Sequence, residues 1–375
     1  MNLPVLAADT TPPKSTLKAN IIARALELGF DLIGFAPILG EIEDAAPQYP
    51  AFLKWLEQGY HAEMGYLARD PGKRGNPRLV LPQAQTAIVV GVSYDTLAVP
   101  MTILTDPSRG RIARYAWGAD YHDVITPRLR ILGEFVGRES RAYVDTGPVL
   151  ERAWAEQAGL GFVGKNTCLI HRTRGSYFFL GVIFVGEAIY DPLPLTTPKS
   201  QKALCGCGGC TRCLTSCPTQ AFVSPYVLNA NRCISYLTIE LKGTIPHEMR
   251  PLIGNWLFGC DVCQDVCPYV RRYSTPSAEK SFYPVDVDRA APKLLDILSW
   301  DRPTFNARFK NTPLLRTKRR GILRNACVAA GNWGHPSVLP ALTQLLNDDE
   351  VLIHEHAQWA IERIKNQEPR TKIKE

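Results

Sequence analysis

Long apolar runs are missing from this sequence of 375 residues. None approaches the roughly 18 apolar residues that a membrane-spanning helix needs, and the mean hydropathy is -0.11. The chain also does not open with the charged segment and apolar stretch of a secretory signal, so disulfide bonds are not expected. We therefore predict a cytoplasmic protein that does not enter a membrane.

Several cofactor motifs are also missing from the N-terminal half. It lacks the glycine fingerprint for dinucleotides, the phosphate loop and the nucleophile elbow of hydrolases. It also lacks an Asp-x-His-x-x-Gly string, which would supply a histidine ligand to a corrinoid cobalt; the nearest string, Asp120-Tyr-His122-Asp-Val-Ile, stops short of it. Motifs alone therefore name no cofactor for this half.

Cysteines, in contrast, are concentrated between positions 207 and 267, where eight of them have the spacing of a two-cluster ferredoxin. The first run is Cys207-Gly-Gly-Cys210-Thr-Arg-Cys213-Leu-Thr-Ser-Cys217-Pro218. The second run, Cys260-Asp-Val-Cys263-Gln-Asp-Val-Cys267-Pro268, lacks a third cysteine, which Cys233 can supply. Because the cysteine before each proline ligates the other cluster, we assign cluster one to Cys207, Cys210, Cys213 and Cys267, and cluster two to Cys217, Cys233, Cys260 and Cys263.

Structural zinc is the alternative for these cysteines, but it favours paired CxxC knuckles and fits the two runs poorly. Cys205 breaks the two-residue rhythm of the first run and is left out of the ligand set. Cys168 and Cys327 lie in apolar stretches and are interpreted as core residues.

The length predicts more than one domain, and the order of elements predicts three domains between two tails. Residues 1–14 are typical of a flexible tail, 15–190 of a layered α/β domain, 191–200 of a linker, 201–290 of the cluster domain, 291–365 of a helical domain and 366–375 of a second tail. Strands are predicted at 31–37, 86–94, 142–145 and 175–187, and helices from residue 16 and at 124–136 and 151–160. Helical patterns at 314–330, 336–346 and 351–364 look like HEAT-type repeats. The predicted fold class is therefore multidomain α+β.

Positive charge is concentrated in the helical part. The net charge of +7 permits a polyanionic partner without requiring one. Five cations lie within nine residues that contain no acid: Arg316, Lys318, Arg319, Arg320 and Arg324. A solvated helix face and a phosphate-binding surface explain them equally well on charge alone.

Seven strings together resemble one family, epoxyqueuosine reductase, the last enzyme of queuosine synthesis in bacterial tRNA. They are Lys73-Arg74-Gly-Asn-Pro77, Arg114-Tyr-Ala-Trp-Gly-Ala-Asp-Tyr-His122, Val144-Asp-Thr-Gly-Pro148, Gly164-Lys-Asn166, Cys217-Pro-Thr-Gln-Ala221, Cys233-Ile-Ser-Tyr-Leu-Thr-Ile-Glu240 and Gly259-Cys-Asp-Val-Cys263. The likeness extends from about residue 16 to residue 365 and includes strings without any ligand role.

The resemblance implies a nitroreductase-like N-terminal domain that binds cobalamin without a protein ligand on cobalt. It also implies that the two [4Fe-4S] clusters pass electrons from an external low-potential donor to cob(I)alamin, and that the HEAT-like end helps to hold the tRNA. The substrate would be epoxyqueuosine in the anticodon loop, reduced to queuosine by a monomeric enzyme.

The resemblance also implies roles for single residues. Asp145 is the expected proton donor; it follows the apolar strand Ala142-Tyr-Val144, where partial burial would favour the protonated carboxyl, although its Asp-Thr-Gly string also suits a plain turn. The residues expected to bind the corrinoid are Arg74, Asp145, Leu169, Gly259, Cys260 and Asp261. His122 also matches a family position near the corrinoid, but a core histidine explains it equally well, and Lys165 could contact a phosphate or cap a turn.

Three other functions compete with this interpretation. An electron-transfer subunit would not need the long α/β domain, and a corrinoid reductase of small organohalides would not need a basic helical end. A tRNA-binding module that has lost catalysis would not need intact cluster ligands.

Overall fold

The computed structural model describes residues 14–39, 46–96, 99–136, 139–190 and 206–366. The predicted linker 191–200, Cys205 and the two predicted tails, apart from Lys14 and Asn366, lie outside the described residues. Within the described ranges, no helix is both long enough and apolar enough to cross a bilayer.

The strands of the described residues are β1 Leu32–Pro37, β2 Thr86–Ser93, β3 Arg111–Ile112, β4 Ser140–Tyr143, β5 Phe162–Val163, β6 Leu169–Ile170, β7 Phe178–Val185, β8 Phe222–Ser224, β9 Val227–Leu228 and β10 Trp256–Phe258.

The α-helices of the same residues are α1 Lys14–Glu27, α2 Tyr49–Glu57, α3 Gly65–Ala68, α4 Pro71–Gly75, α5 Met101–Leu104, α6 Tyr121–Phe135, α7 Glu151–Gln157, α8 Arg212–Thr215, α9 Ile234–Ile239, α10 Arg250–Ile253, α11 Val262–Asp265, α12 Pro268–Tyr273, α13 Val287–Ala290, α14 Leu294–Leu298, α15 Arg302–Arg308, α16 Lys318–Trp333, α17 Leu339–Gln344 and α18 Val351–Asn366. Single 3₁₀ turns lie at Pro77–Leu79, Arg114–Ala116, Ala230–Arg232, Lys280–Phe282, Pro313–Thr317, Pro336–Val338 and Leu345–Asn347.

An antiparallel four-stranded sheet in the order β1-β2-β7-β4 forms the centre of the N-terminal part of the chain. Strand β2 is buried along its whole length. Alternate residues of a strand point to opposite faces, so Ile88 and Val90 pack in the cluster that holds α1 and α6, whereas Ala87 and Val89 pack in the cluster that holds α7. The helices thus cover both faces of the sheet.

The predicted strands and long helices are confirmed, with one shift that matters for the site. The prediction placed a strand at 142–145, but β4 ends at Tyr143. Asp145 adopts φ +56°, in the left-handed region that ends an extended strand. The chain therefore turns at Asp145, and its side chain leaves the sheet.

The cluster region is built from short helices that follow the cysteine runs. In the second run, Cys267 lies at the N-cap of α12, whose first residue is Pro268. Proline suits this position because its missing N–H has no helical partner there. The strands β8 and β9 form a small antiparallel hairpin beside the first run.

Two long helices, α16 and α18, form the centre of the C-terminal part. Residues 321–331 of α16 are all buried. A Cβ added to Gly331 would lie 2.6 Å from the Trp359 ring and 3.1 Å from Cα of Ala360. Only glycine therefore permits this close approach of the two helices.

The three predicted domains share their cores. Strand β10 of the cluster region pairs in parallel with β3 of the N-terminal part. One hydrophobic cluster includes Trp117, Phe258, Leu294 and Ala326, which come from all three predicted domains. The predicted boundaries thus lie within one packed body, and they stay predictions.

Candidate functional site

The four cysteines assigned to cluster one line a single pocket. Cys207, Cys210, Cys213 and Cys267 line it together with Asn166, Ile170 and Tyr269. Burial raises the pKa of the Cys213 thiol to about 11, and the neighbouring thiolates of Cys207 and Cys267 add to the rise. Bound iron would relieve this cost, because a coordinating thiol gives up its proton.

Lys165 holds the first cysteine run in place. Its backbone N–H donates to Sγ of Cys207 at 3.3 Å, and its Nζ donates to the carbonyls of Gly208 at 2.7 Å and Cys210 at 3.0 Å. Hydrogen bonds to cluster sulfurs are one of the means by which a protein sets cluster potential. Of the two roles considered for Lys165 from sequence, the structure favours the second, because its Nζ caps the turn of the first cysteine run.

The cysteines assigned to cluster two are also brought together. Burial raises the pKa values of Cys233 and Cys260, and the charge of Cys217 acts on Cys233 while that of Cys233 acts on Cys260. The pKa of the Cys263 thiol is raised by the hydrogen bond that it donates to Cys168, by burial, and by the charges of Cys168, Cys260 and Cys233. This donor set fits a cluster for the same electrostatic reason as the first.

Of the two cysteines interpreted as core residues, one is corrected. Cys327 is fully buried in the hydrophobic core, as predicted. Cys168 instead lies beside cluster two, where its thiol forms a hydrogen bond with that of Cys263. Thr167 has φ +63°, and the backbone N–H of Cys168 donates to Oδ1 of Asn166. This turn interrupts the apolar stretch just before Cys168. The sequence pattern around Cys168 gave no sign of this contact.

Asp145 is exposed and held from two sides. The hydroxyl of Tyr121 donates to its Oδ2 at 2.7 Å. Nη1 of Arg74 donates to the carbonyls of Gly147 at 3.2 Å and Val149 at 3.4 Å, which braces the loop that follows Asp145. The partial burial expected for Asp145 is therefore not found, because the turn carries the carboxyl out of the sheet to the protein surface.

The Asp145 cleft is the name used for the space between Asp145 and residues from other parts of the chain: Tyr66, Tyr115, Glu240 and Arg316. Burial raises the pKa of Tyr66 to about 12, and the charges of Glu240 and Asp145 add to the rise while Arg316 opposes it. Burial likewise raises the pKa of Tyr115. The charge of Arg316 opposes the rise, and the charges of Asp145, Asp261 and Glu240 add to it. The sequence strings contained Tyr115 and Glu240 but gave no reason to single them out.

Two buried polar atoms beside the Asp145 loop have no hydrogen-bond partner among the described residues: Nε of Arg74 and Oε1 of Glu151. Burial raises the pKa of Glu151 to about 7, and the charge of Asp145 adds to the rise. A corrinoid carries amide side chains that both donate and accept hydrogen bonds, so these residues fit such a group. His122 has its Nδ1 bonded to Asp120 at 2.8 Å, and its buried Nε2 also has no hydrogen-bond partner among the described residues.

The turn Gly259-Cys260-Asp261 lies between cluster two and this cleft. Gly259 has φ +70°, and its N–H donates to Oγ1 of Thr238 at 2.9 Å. Asp261 accepts from the backbone N–H of Arg114 at 2.8 Å, and burial raises the pKa of its carboxyl to about 7. Leu169, which was predicted to bind the corrinoid, is buried in β6.

The five predicted phosphate contacts separate into two groups. Arg324 is 1% exposed and donates to the carbonyls of Leu237, Leu241 and Gly243. Arg319 donates to the carbonyl of Trp300 and is paired with Asp348 at 2.7 Å. Helix α16 buries the face that carries Arg324, so a phosphate contact is not retained for that residue.

The other three cations reach the solvent. Lys318 is exposed, and the side chain of Arg320 is 40% exposed at 3.9 Å from Glu350. The side chain of Arg316 is 47% exposed and lies 3.7 Å from Glu240 at the Asp145 cleft. The basic segment therefore reaches from the protein surface to the candidate active site.

Two cysteine sets beside a cleft of tyrosines, carboxylates and arginines define an iron-sulfur oxidoreductase. The family model described as "4Fe-4S double cluster binding domain" matches residues 206–270, and the one described as "Epoxyqueuosine reductase QueG, DUF1730" matches residues 74–146. The chain is 42% identical over 372 residues to epoxyqueuosine reductase of Pseudomonas aeruginosa, which covers 96% of this chain and 98% of that relative. The chain belongs to the epoxyqueuosine reductase family.

Further relatives agree with this assignment. The Escherichia coli epoxyqueuosine reductase is 38% identical over 342 residues, 90% of this chain and 86% of that protein. A crystal structure of epoxyqueuosine reductase with an epoxyqueuosine-modified tRNA-Tyr stem loop matches with a TM-score of 0.83 and 32% identity, over 94% of this chain and 91% of that one. The Bacillus subtilis enzyme, solved with its catalytic aspartate loop swung out of the active site, matches over the same shares with a TM-score of 0.81 and 32% identity.

Proposed function

We propose that this chain reduces epoxyqueuosine to queuosine in the anticodon loop of tRNA. The observation that carries the proposal is the likeness, over more than nine-tenths of the chain, to epoxyqueuosine reductases, one of them solved with an epoxyqueuosine-modified stem loop. Conversion of the epoxide to an alkene consumes two electrons and two protons and releases the oxygen as water. The enzyme therefore needs an electron path and a proton donor.

The two cysteine sets provide the electron path. Cys207, Cys210, Cys213 and Cys267 would hold one [4Fe-4S] cluster, and Cys217, Cys233, Cys260 and Cys263 the other. Each cluster carries one electron at a time, so an external low-potential donor delivers the two electrons in succession. The Asp145 cleft lies near the second set. The charges of Asp145 and of Asp261, the residue after Cys260, both act on the Tyr115 hydroxyl.

Cobalamin is the cofactor that the family implies for this cleft. When bound, it would supply a strongly reducing cobalt that is nucleophilic toward a strained epoxide carbon. Arg74 and Glu151 fit its amide side chains through their unpaired buried atoms, and Asp145, Leu169 and the Gly259-Cys260-Asp261 turn are the other proposed contacts.

Asp145 is the proposed proton donor to the epoxide oxygen. The Tyr121 hydroxyl occupies Oδ2, which leaves Oδ1 for the substrate. The Arg74 brace and the left-handed turn together fix the direction of the carboxyl. Such positioned proton transfer contributes about 10²- to 10⁴-fold to a rate.

The C-terminal helices are proposed to form HEAT-like repeats that hold the tRNA through Arg316, Lys318 and Arg320, with the sheet domain as a nitroreductase-like unit. We further propose that the enzyme acts as a cytoplasmic monomer. The exposure of these three cations supports the tRNA contact.

The deciding experiment incubates reduced, cluster-loaded protein with cobalamin and tRNA that carries epoxyqueuosine. Mass analysis of the digested nucleosides should show a loss of 16 mass units, about that of one oxygen atom, from the modified nucleoside. Unchanged epoxyqueuosine, with both clusters present and reduced, would refute the function.

A further inference from the structure

Glu240 lies at the Asp145 cleft, although neither the electron path nor the proton donor uses it. Glu240 ends the helix α9, which begins directly after Cys233, a proposed ligand of cluster two. Its side chain is 24% exposed, and among the described residues its one ion-pair partner within 4 Å is Arg316 at 3.7 Å. That distance is longer than a hydrogen bond, so the carboxylate keeps acceptor capacity.

Glu240 and Asp145 lie near the same two tyrosines. The charges of both act on the hydroxyls of Tyr66 and Tyr115, and the Arg316 guanidinium acts on all four groups. Tyr66 is half exposed, which leaves this side of the cleft open to a large ligand. The cleft therefore presents two carboxylates, with one arginine on the side of Glu240.

The proposed substrate matches this arrangement in charge. Epoxyqueuosine joins its epoxide-bearing ring to the base through a secondary amine, which carries a positive charge at neutral pH. A partly buried carboxylate that accepts a hydrogen bond from an ammonium forms one of the stronger polar contacts in proteins. The amine lies next to the epoxide ring, so a group that binds it also directs the epoxide.

We propose that Glu240 binds the ammonium of epoxyqueuosine and thereby turns its epoxide toward Asp145. Arg316 is a positioning residue in this scheme: its guanidinium lies 3.7 Å from the Glu240 carboxylate, and its remaining donors face the hydroxyls or phosphate of the same nucleotide. This inference rests on the proposed function, since it concerns the same substrate and the same cleft.

The test compares two stem loops of identical sequence, one with epoxyqueuosine and one with guanosine at the same position. Affinities are measured without reductant, so that no turnover occurs. The wild type should prefer the modified loop, and Glu240→Gln should reduce that preference about tenfold while binding of the guanosine loop stays the same. Glu240→Asp should keep part of the preference.

Glu248→Gln is the matched control, because Glu248 is exposed and is not among the groups that act on the cleft tyrosines. It should bind both loops as the wild type does. Equal weakening of both loops by Glu240→Gln would indicate a structural role and overturn the inference, as would an unchanged preference. Iron content checks folding, and Glu240→Asp replaces the Gln variant if the latter fails to load clusters.

The outcome also separates this inference from the proposed function. Conversion of epoxyqueuosine by the wild type is measured in parallel. If the wild type converts the nucleoside and Glu240→Gln keeps its preference, only the role of Glu240 fails. If the wild type neither converts nor prefers the modified loop, the proposed function fails with it.

Discussion

At the scale of single residues, the candidate active site depends on one strained turn. A non-glycine residue at φ +56° is uncommon, although aspartate tolerates this region better than most residues. Gly147 follows two residues later, where a Cβ would lie 2.0 Å from the Tyr143 ring. The loop therefore packs tightly against β4 while Asp145 points away from it toward Tyr121.

Replacement of Asp145 by Asn should remove the proton donor without disturbing the fold. We expect the rate of queuosine formation to fall at least about 100-fold, with iron content unchanged. Nucleoside mass analysis under single-turnover conditions measures the rate. The control Asp123→Asn removes an exposed carboxylate from the first turn of α6, and it should keep full activity. Wild-type rates in the Asp145 variant would exclude this residue as the acid.

Residue roles could be predicted from sequence only where spacing determines them. The cysteine ligands could be predicted in this way, because a cluster needs ligands at set intervals. The burial of Arg324 and the contact of Cys168 with Cys263 could not be predicted, since both arise from tertiary packing. Asp145 was found through family strings, but its exposure and its Tyr121 partner required the structure.

At the scale of elements, helix α18 is attached to the cluster region through a buried histidine. The backbone N–H of Ile245 donates to Nε2 of His356 at 3.2 Å, and the Nδ1 of His356 lies 2.7 Å from the carbonyl of Leu352. This pattern requires a neutral ring with its proton on Nδ1. Burial, followed by the charge of Arg250, lowers the pKa of His356 to about 4.

Protonation of His356 should therefore make stability depend on pH. Between about pH 6.5 and pH 4 the unfolded chain binds a proton that the folded chain does not, so stability falls as the pH falls through this range and is fully present above it. The expected loss approaches about 3 kcal/mol. Glu355, which pairs with Arg250, has a lowered pKa and changes stability in the same direction at lower pH.

The measurement is the urea midpoint of anaerobic, cluster-loaded protein at pH 7.5 and pH 5.5. The wild type should lose stability between the two values. His356→Gln should start from a lower midpoint and lose less. An equal pH dependence in both proteins would show that other groups control the acid sensitivity.

Long elements were predictable because their signal is local. The apolar runs of β2 and β7 and the helical period of α16 are visible in a few residues. The pairing of β3 with β10 joins two segments that are far apart in the chain, and each has only two or three residues. No local pattern specifies such a contact, which explains why the sequence suggested separate domains.

At the scale of the whole molecule, the proposed ligand sets predict that the two cysteine runs exchange ligands. Cys233 should serve cluster two alone, so Cys233→Ala should reduce iron from about eight to about four atoms per chain. Cys267→Ala should have the same effect on cluster one, although Cys267 belongs to the second run by sequence. Iron analysis, with electron paramagnetic resonance of the reduced protein, distinguishes the two losses. Loss of neither cluster in the Cys233 variant would overturn the ligand assignment.

The salt dependence of tRNA binding should show which basic residues hold the tRNA. Contacts with phosphate release counterions, so each lost contact should lower the slope of log affinity against log salt by about 0.7 to 0.9. We expect such a loss for Lys318→Gln and Arg320→Gln, whose side chains reach the solvent.

Arg324→Met provides the contrast. Its guanidinium serves three backbone carbonyls, so its removal should lower the unfolding free energy by about 3 kcal/mol and leave the salt slope of the folded protein unchanged. The comparison uses binding of the modified stem loop at several salt concentrations and a denaturation curve for each variant. Unchanged slopes for both Lys318→Gln and Arg320→Gln would mean that these cations form only a solvated face, and the tRNA would then have to be held by a different surface.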